Sequence, residues 1–247
     1  MHVVLVTHDS PYGRYVAAAL GAATRVDRFL FETGLPSLRF YGRKLRQVGA
    51  IDFAFQVALN RWFRREGAKY LPDFAVPLHE RVANVNRCRF GPNDLVIGFG
   101  TSYVTAATLA AMPRGFLNLH TGVLPNYRGV KSEFWVLYEH DYGRIGWTLH
   151  YMAPRLDAGD IVLRGRVPWR GEDPAALRAK LLQDAVPAIA ALADRVRERG
   201  FDAITRTPQG EGRYYTTPTW AEWRRFARSH SLRRASRRPA RTTRTVA

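Results

Sequence analysis

Cysteine is nearly missing from this 247-residue chain. Cys88 stands alone, which excludes a disulfide framework and a multi-cysteine zinc site and fits a reducing compartment. Long apolar runs are missing as well. None approaches the roughly 18 residues of a membrane helix. Met1-His2-Val3-Val4-Leu5-Val6 has neither the basic leader nor the apolar length of a signal peptide. The expectation is a cytoplasmic protein with no membrane partner. Acid is scarce, with 21 Asp and Glu against 38 Lys and Arg, and nearly all of the basic residues are arginine. The seven histidines show no ligand spacing, so no metal is expected.

What is present is a core and a charge. Apolar residues make up 46% and aromatics 12%, enough to bury a sizeable interior. The net charge of +17 points first to nucleic acid. Residues 224–247, however, hold nine arginines, no lysine and no acid, leaving +8 on residues 1–223. The charge therefore divides between a basic tail and a moderately basic body.

Val3 to Val6 reads as a short buried strand, followed by a loop at His8-Asp9-Ser10-Pro11 and a helix from Tyr12 to Ala23. Leu38 to Glu66 reads as helical, with arginines between bulky residues and a break near Gly49. That insertion either covers one side of a sheet or presents a basic surface to a substrate or partner. Leu95 to Gly100 and Gly115 to His120 read as buried strands, with a short helix from Thr105 to Met112 between them, stopped by Pro113. Lys131 to His140 reads as helix, and Gly146–Met152 and Ile161–Val167 as strands. Asp173-Pro174 opens a long helix that Gly200 closes, and Pro187 inside it implies a kink or a break. The alternation predicts an α/β fold: a Rossmann-like, mostly parallel sheet flanked by helices, with a helical insertion near 38–66 and a basic C-terminal tail. The expected organisation is a body over 1–207, a packed extension over 208–223, and a disordered Arg-rich tail over 224–247. The aromatics between Tyr214 and Trp223 suit a lid on the core, or an interface that leaves a homodimer open.

Asn118 and His120 alternate along one strand, so their side chains share a face. Asp157 sits in the tight acidic turn Leu156-Asp157-Ala158-Gly159-Asp160. An amide can donate to a developing oxyanion, an imidazolium can donate to the same oxygen, and a carboxylate beside the imidazole raises its pKa and orients it. Such donors are typically worth about 10²–10³ in rate, and acid–base help about 10²–10⁴. No Ser or Cys nucleophile elbow is visible, so the trio suits attack by an external amine on a bound carbonyl. Taken singly, each residue also has a structural reading: a satisfied strand histidine, a strand-end amide, a turn carboxylate. Gly98-x-Gly100 is not a dinucleotide loop, because position 103 is Tyr103.

Asn118-Leu-His120, Leu124-Pro125-Asn126-Tyr127-Arg128-Gly129, Gly146-Trp-Thr148-Leu-His150 and Asp157-Ala-Gly159-Asp160-Ile161, in that order, resemble the catalytic domain of the folate-dependent formyltransferases. The resemblance covers about Leu95 to Val167 and the N-terminal strand, and residues 24–90 depart from it. It implies that Asn118, His120 and Asp157 are the catalytic residues and that 10-formyltetrahydrofolate is the formyl donor. It implies that Gly98, Phe99, Gly100 and Thr101 line the pterin pocket and that Ala153, Pro154, Arg155 and Leu156 form a second folate-binding loop. His150 then reads as a supporting residue, and Arg128 as shaping the catalytic loop or the amine site. A small-molecule amine is the expected partner, and an amino sugar linked to a nucleotide is favoured. Glycinamide ribonucleotide-type, methionyl-tRNA-type and formyltetrahydrofolate hydrolase activities are the alternatives, together with a non-enzymatic scaffold that binds nucleic acid through the Arg-rich tail. Only about 45 residues follow the long helix, which counts against a tRNA acceptor; a basic tail adds at most non-specific affinity. Val130 to Trp135 reads either as substrate contact or as helix start and core.

Overall fold

A computed structural model describes residues 1–34, 37–112 and 115–236, the side chains of 231–236 excepted. Apolar β-branched runs form the centre of a seven-stranded sheet. Its strands are β1 (His2–His8), β2 (Arg28–Glu32), β3 (Glu80–Val82), β4 (Asp94–Phe99), β5 (Phe116–His120), β7 (Gly146–Tyr151) and β8 (Ile161–Arg166), in the order β3-β2-β1-β4-β5-β7-β8. The first five are mutually parallel, whereas β7 pairs antiparallel with both β5 and β8. The expected mostly parallel sheet is present. β2 and β3, which flank the predicted insertion and were not read as strands, extend it at one edge.

The two sheet faces differ in cover. Val3, Leu5, Ile97, Leu117 and Leu149 join the large core with α1 (Pro11–Ala23) and α5 (Pro174–Arg199). Val4, Val6, Val96 and Phe116 meet a smaller cluster that includes Val85, Val104 and Met112. Strand alternation puts Asn118 and His120 on this second, thinner side. Side-chain caps start the helices: Ser10 for α1 and Asp173 for α5, where Pro174 occupies the first turn. Of the kink or break expected at Pro187, the break does not occur: α5 runs as one helix to Arg199 with Pro187 inside it. Pro187 and Gln183, whose carbonyl loses its partner, are both exposed, so water can satisfy that oxygen. Pro113 lies outside the described residues; the helix it was expected to stop, α3, spans Ala106–Ala110.

α2 (Leu38–Ala68) is the insertion, and Gly49 at φ 80°, ψ 165° bends it where the break was expected. Its first half buries nothing. Its second half buries Gln56, Leu59, Phe63 and Gly67, chiefly against α5, α1 and the C-terminal helix α6 (Trp220–Ser236). The helices α4 (Ser132–Tyr138) and α6 complete the layer.

The helix α6 corrects the expected organisation. The segment from 224 is helical as far as Ser236, so a disordered tail does not begin at 224. Residues 237–247 lie outside the described residues. Trp223 stacks on Phe134 of α4 at 5.4 Å and meets Trp62 of α2 edge-on at 5.3 Å. Phe226 is buried against Phe134, and Asp52 Oδ1 accepts from the Trp220 N–H at 2.7 Å. The helix α6 therefore clamps α2 to α4, through residues on both sides of position 224. Among the described residues no helix is long and apolar enough to cross a membrane.

Cutting the chain at 224 leaves Trp220 and Trp223 but removes Phe226 and most of the helix that carries them, and should destabilise the body. Phe226→Ala isolates the effect and should cost about 3–5 kcal/mol, the usual range for emptying a buried aromatic site, read from urea unfolding.

Candidate active site

Four residues from three neighbouring elements converge at the C-terminal end of β5. Asn118 and His150 are register partners across β5 and β7, and Gly98 of β4 is the partner of Asn118 on the other side. A glycine there leaves the amide without a neighbouring side chain in its row. Beside His150 the β7–β8 ladder skips a residue, a bulge of the kind that re-aims side chains. The peptide Leu124–Pro125 is cis. Its loop is tied down by Thr148, whose Oγ1 donates to Gly122 O at 2.8 Å and accepts from Leu124 N at 3.1 Å.

Asp157 enters from the β7–β8 turn with a left-handed backbone, φ 51°, a conformation Asp tolerates better than most residues. Its Oδ2 accepts from the Gly129 N–H at 2.8 Å and lies 3.7 Å from His120 Nδ1, while Oδ1 lies 3.5 Å from His150 Nε2. Burial pushes its carboxyl up, but His120, His150 and the Gly129 amide outweigh burial and hold it at about 2. The carboxylate is therefore ionised at any working pH.

Carbonyl partners fix the imidazole protons. A carbonyl oxygen only accepts, so His120 Nε2–H donates to Tyr127 O at 2.6 Å, with Ser132 Oγ 3.1 Å from the same nitrogen. That leaves His120 Nδ1 facing Asp157. By the same logic His150 Nδ1–H donates to Tyr151 O at 2.8 Å, and its Nε2 accepts from Asn118 Nδ2 at 3.1 Å. His150 thus sets which end of the Asn118 amide faces it, leaving a second amide proton to donate elsewhere.

The wall of the site comes from a distant part of the chain. β6 (Arg128–Gly129) pairs in parallel with β9 (Tyr214–Tyr215), and Tyr127 stacks on Tyr215 at 5.4 Å. Gly129 has φ 98°, and a Cβ there would strike the Tyr215 carbonyl, so only glycine admits this pairing while donating to Asp157. Arg128 is buried, and its Nη2 donates to Gln209 Oε1 at 3.1 Å and Gly210 O at 2.9 Å. The stretch read as a packed extension is thus built into the site's support.

The structure brings Asn118, His120 and Asp157 together, with His150 between the amide and the carboxylate. Gly98 lies beside them, and Gly100, at φ 60°, faces open space. Ala153, Pro154, Arg155 and Leu156 form the partly exposed turn leading into Asp157, and Thr101 follows β4. Phe99 and Gly100 also border a cavity of about 830 Å³ that reaches under α2. Sequence reasoning missed Tyr12 and Arg178 in that cavity's wall.

A model of the family described as "Formyl transferase" matches residues 90–190, the stretch that carries this geometry. Residues 90–190 belong to the formyl transferase family. The formyl transferase segment thus runs from the approach to β4 into α5. GDP-perosamine N-formyltransferase of Brucella melitensis is 24% identical over 174 residues, 70% of this chain and 59% of that protein. The chain thus spans about three fifths of the length of that relative. A Mycobacterium tuberculosis protein superposes with a TM-score of 0.59 at 16% identity, covering 93% of this chain and 87% of the other. The N-formyltransferase of Helicobacter canadensis, solved with folinic acid and dTDP-3-aminofucose, superposes with a TM-score of 0.56 at 13% identity over 87% and 71%. At these identities the structural likeness carries the fold.

Asp157→Asn tests the electrostatics, because Asn keeps the left-handed backbone and removes the charge. A carboxyl held at about 2 in the fold and near 3.8 when unfolded stabilises the fold above its unfolded pKa. That contribution disappears as pH falls through the folded value. The variant should lose about 2 kcal/mol at pH 7, and the gap should narrow from about pH 4 and close as pH falls through about 2 in pH-dependent unfolding.

Proposed function

We propose that this chain transfers a formyl group from 10-formyltetrahydrofolate to the primary amine of a small substrate, most readily a nucleotide-linked amino sugar. The observation that carries the reading is the double contact of one ionised carboxylate, Asp157, with His120 and with the His150 that orients Asn118. The relatives named as sugar N-formyltransferases support the acceptor class, and the folinic acid bound by the Helicobacter protein supports the donor.

The residues present fit a folate. Gly100 faces open space, Gly98 lets the Phe116 ring close on β4 where a Cβ would strike it, and Phe99, Thr101 and Ala153 to Leu156 flank the approach. These residues hold the donor, which when bound supplies the activated one-carbon unit. The free amide proton of Asn118 donates to the formyl oxygen as negative charge develops on it. His120 keeps Nε2–H on the Tyr127 carbonyl, so the proton released by the attacking amine is taken at Nδ1, opposite Asp157. Asp157 stabilises that imidazolium by charge at 3.7 Å, a separation too long for a direct hydrogen bond. The proton is then returned to the nitrogen that loses the formyl group. His150 is a positioning residue: it touches Asn118 and Asp157.

Asn118→Ala and His120→Ala should each lower kcat for amine-dependent tetrahydrofolate release by about 10²–10⁴ with folinic acid binding retained. The measurement uses a panel of nucleotide-linked amino sugars and simple amines. Near-wild-type turnover in both variants would remove the mechanism. Tetrahydrofolate release without any amine would make the chain a hydrolase.

A further inference from the structure

The cavity bordered by Phe99 and Gly100 lies at the C-terminal ends of β1, β2 and β4 and is roofed by α2. Its volume, about 830 Å³, is in the range of a small-ligand site. Its charge is one-sided. Lys44, Arg61, Arg64, Lys131 and Arg178 line it, against Asp9 and Glu32. Both acids are already engaged: Asp9 pairs with Arg14 and Arg81, and Glu32 accepts from the Val85 and Ser102 amides at 2.6 and 2.7 Å. Arg178 pairs with buried Glu133 at 2.5 Å. Among the described residues, no carboxylate forms an ion pair with Lys44, Arg61, Arg64 or Lys131.

Lys131 is the decisive group. It is 8% exposed, sits in a left-handed conformation at the start of α4, and holds its ammonium 3.9 Å from the centroid of the Phe63 ring. A ring face favours a cation but does not replace water or an anion. Burial, then Arg178, with Arg64 and Lys44 adding to it, lowers its pKa to about 7 despite Glu133 nearby. The next residue, Ser132, has its Oγ 3.1 Å from His120 Nε2, so the backbone that carries Lys131 adjoins the trio. At the far end Phe40, Tyr41 and Phe53 form an edge-to-face aromatic group.

Resting on the sugar-nucleotide reading above, we propose that this cavity is the acceptor's diphosphate subsite. Lys131 is its inner anchor, Lys44, Arg61 and Arg64 of α2 form its outer wall, and Phe40, Tyr41 and Phe53 face the nucleoside end. The helix α2 is then the element that selects the acceptor. An anion brought to Lys131 supplies the partner the fold lacks and keeps the ammonium protonated.

Calorimetric titration of the full chain with GDP-mannose, dTDP-glucose and UDP-glucose tests this, with folinic acid titrated separately. These sugar nucleotides lack the amine and carry no phosphate that titrates between pH 6.5 and 9. At least one should bind, and Lys131→Met and the double variant Arg61→Gln/Arg64→Gln should each weaken it by about tenfold or more. Folinic acid affinity should stay within about twofold. Wild-type affinity should fall as pH rises from 6.5 to 9 and that of Lys131→Met should not; Glu133, Arg178, Arg64 and Lys44 are the charged groups facing the ammonium in both. Lys131→Met removes a buried charge and should melt no lower than the wild type, which controls for folding. Unchanged sugar-nucleotide affinity in both variants overturns the subsite. A parallel loss of folinic acid affinity also overturns it, since the cations would then hold the folate's carboxylates. If the variants weaken sugar-nucleotide binding but the wild type releases no tetrahydrofolate with any amine, the subsite stands and formyl transfer falls.

Discussion

The carboxylate of Asp157 ties the site together. Its Oδ2 accepts from the backbone N–H of Gly129 and faces His120, and its Oδ1 faces His150. Each contact belongs to a different element, so one buried charge sets the spacing of the β5 end, the β6 loop and the β7–β8 turn. An ionised group this buried persists only when surrounded by donors and cations. The left-handed backbone at 157 and the glycine at 129 are the local conditions that let those groups approach.

The second organising charge is Glu133, fully buried at the start of α4. It accepts from Thr121 Oγ1 at 3.1 Å and pairs with Arg178 of α5, whose guanidinium lies over the rings of Tyr12 and Phe63. The Tyr12 hydroxyl faces the Phe63 and Ala175 carbonyls at 3.1 and 3.2 Å. Four helices thus meet at one polar cluster, and α6 closes it from outside through Trp223 and Phe226. The position of α2, and with it the roof of the cavity, depends on this cluster rather than on direct packing over the sheet.

Much of this was legible in the chain. The central strands announced themselves as β-branched runs, and the period of two along β5 put Asn118 and His120 on one face without further help. Asp157 was legible only through the resemblance, since its place beside the histidines is made by a turn closing across 37 residues from His120. β2 and β3 were missed because Arg28-Phe-Leu-Phe-Glu32 and Glu80-Arg-Val82 are short and charged, as is common for an edge strand such as β3. The helix after 220 was misread because arginine dominates its composition. Trp223, Phe226 and His230 nevertheless recur at helical spacing, and that stripe is the side that packs inward.

The scarcity of lysine gains a physical meaning at position 131. Arginine is the common cation of this chain, and a guanidinium buried there would stay charged with no carboxylate to meet it. An ammonium can release its proton when alone and regain it when an anion arrives, and a value near 7 puts both states within ordinary conditions. A charge that burial disfavours in the empty fold would be favoured by an anion brought beside it. In an Arg-rich protein, a buried lysine next in sequence to Ser132, the residue that meets His120, is where such exchange is chemically available.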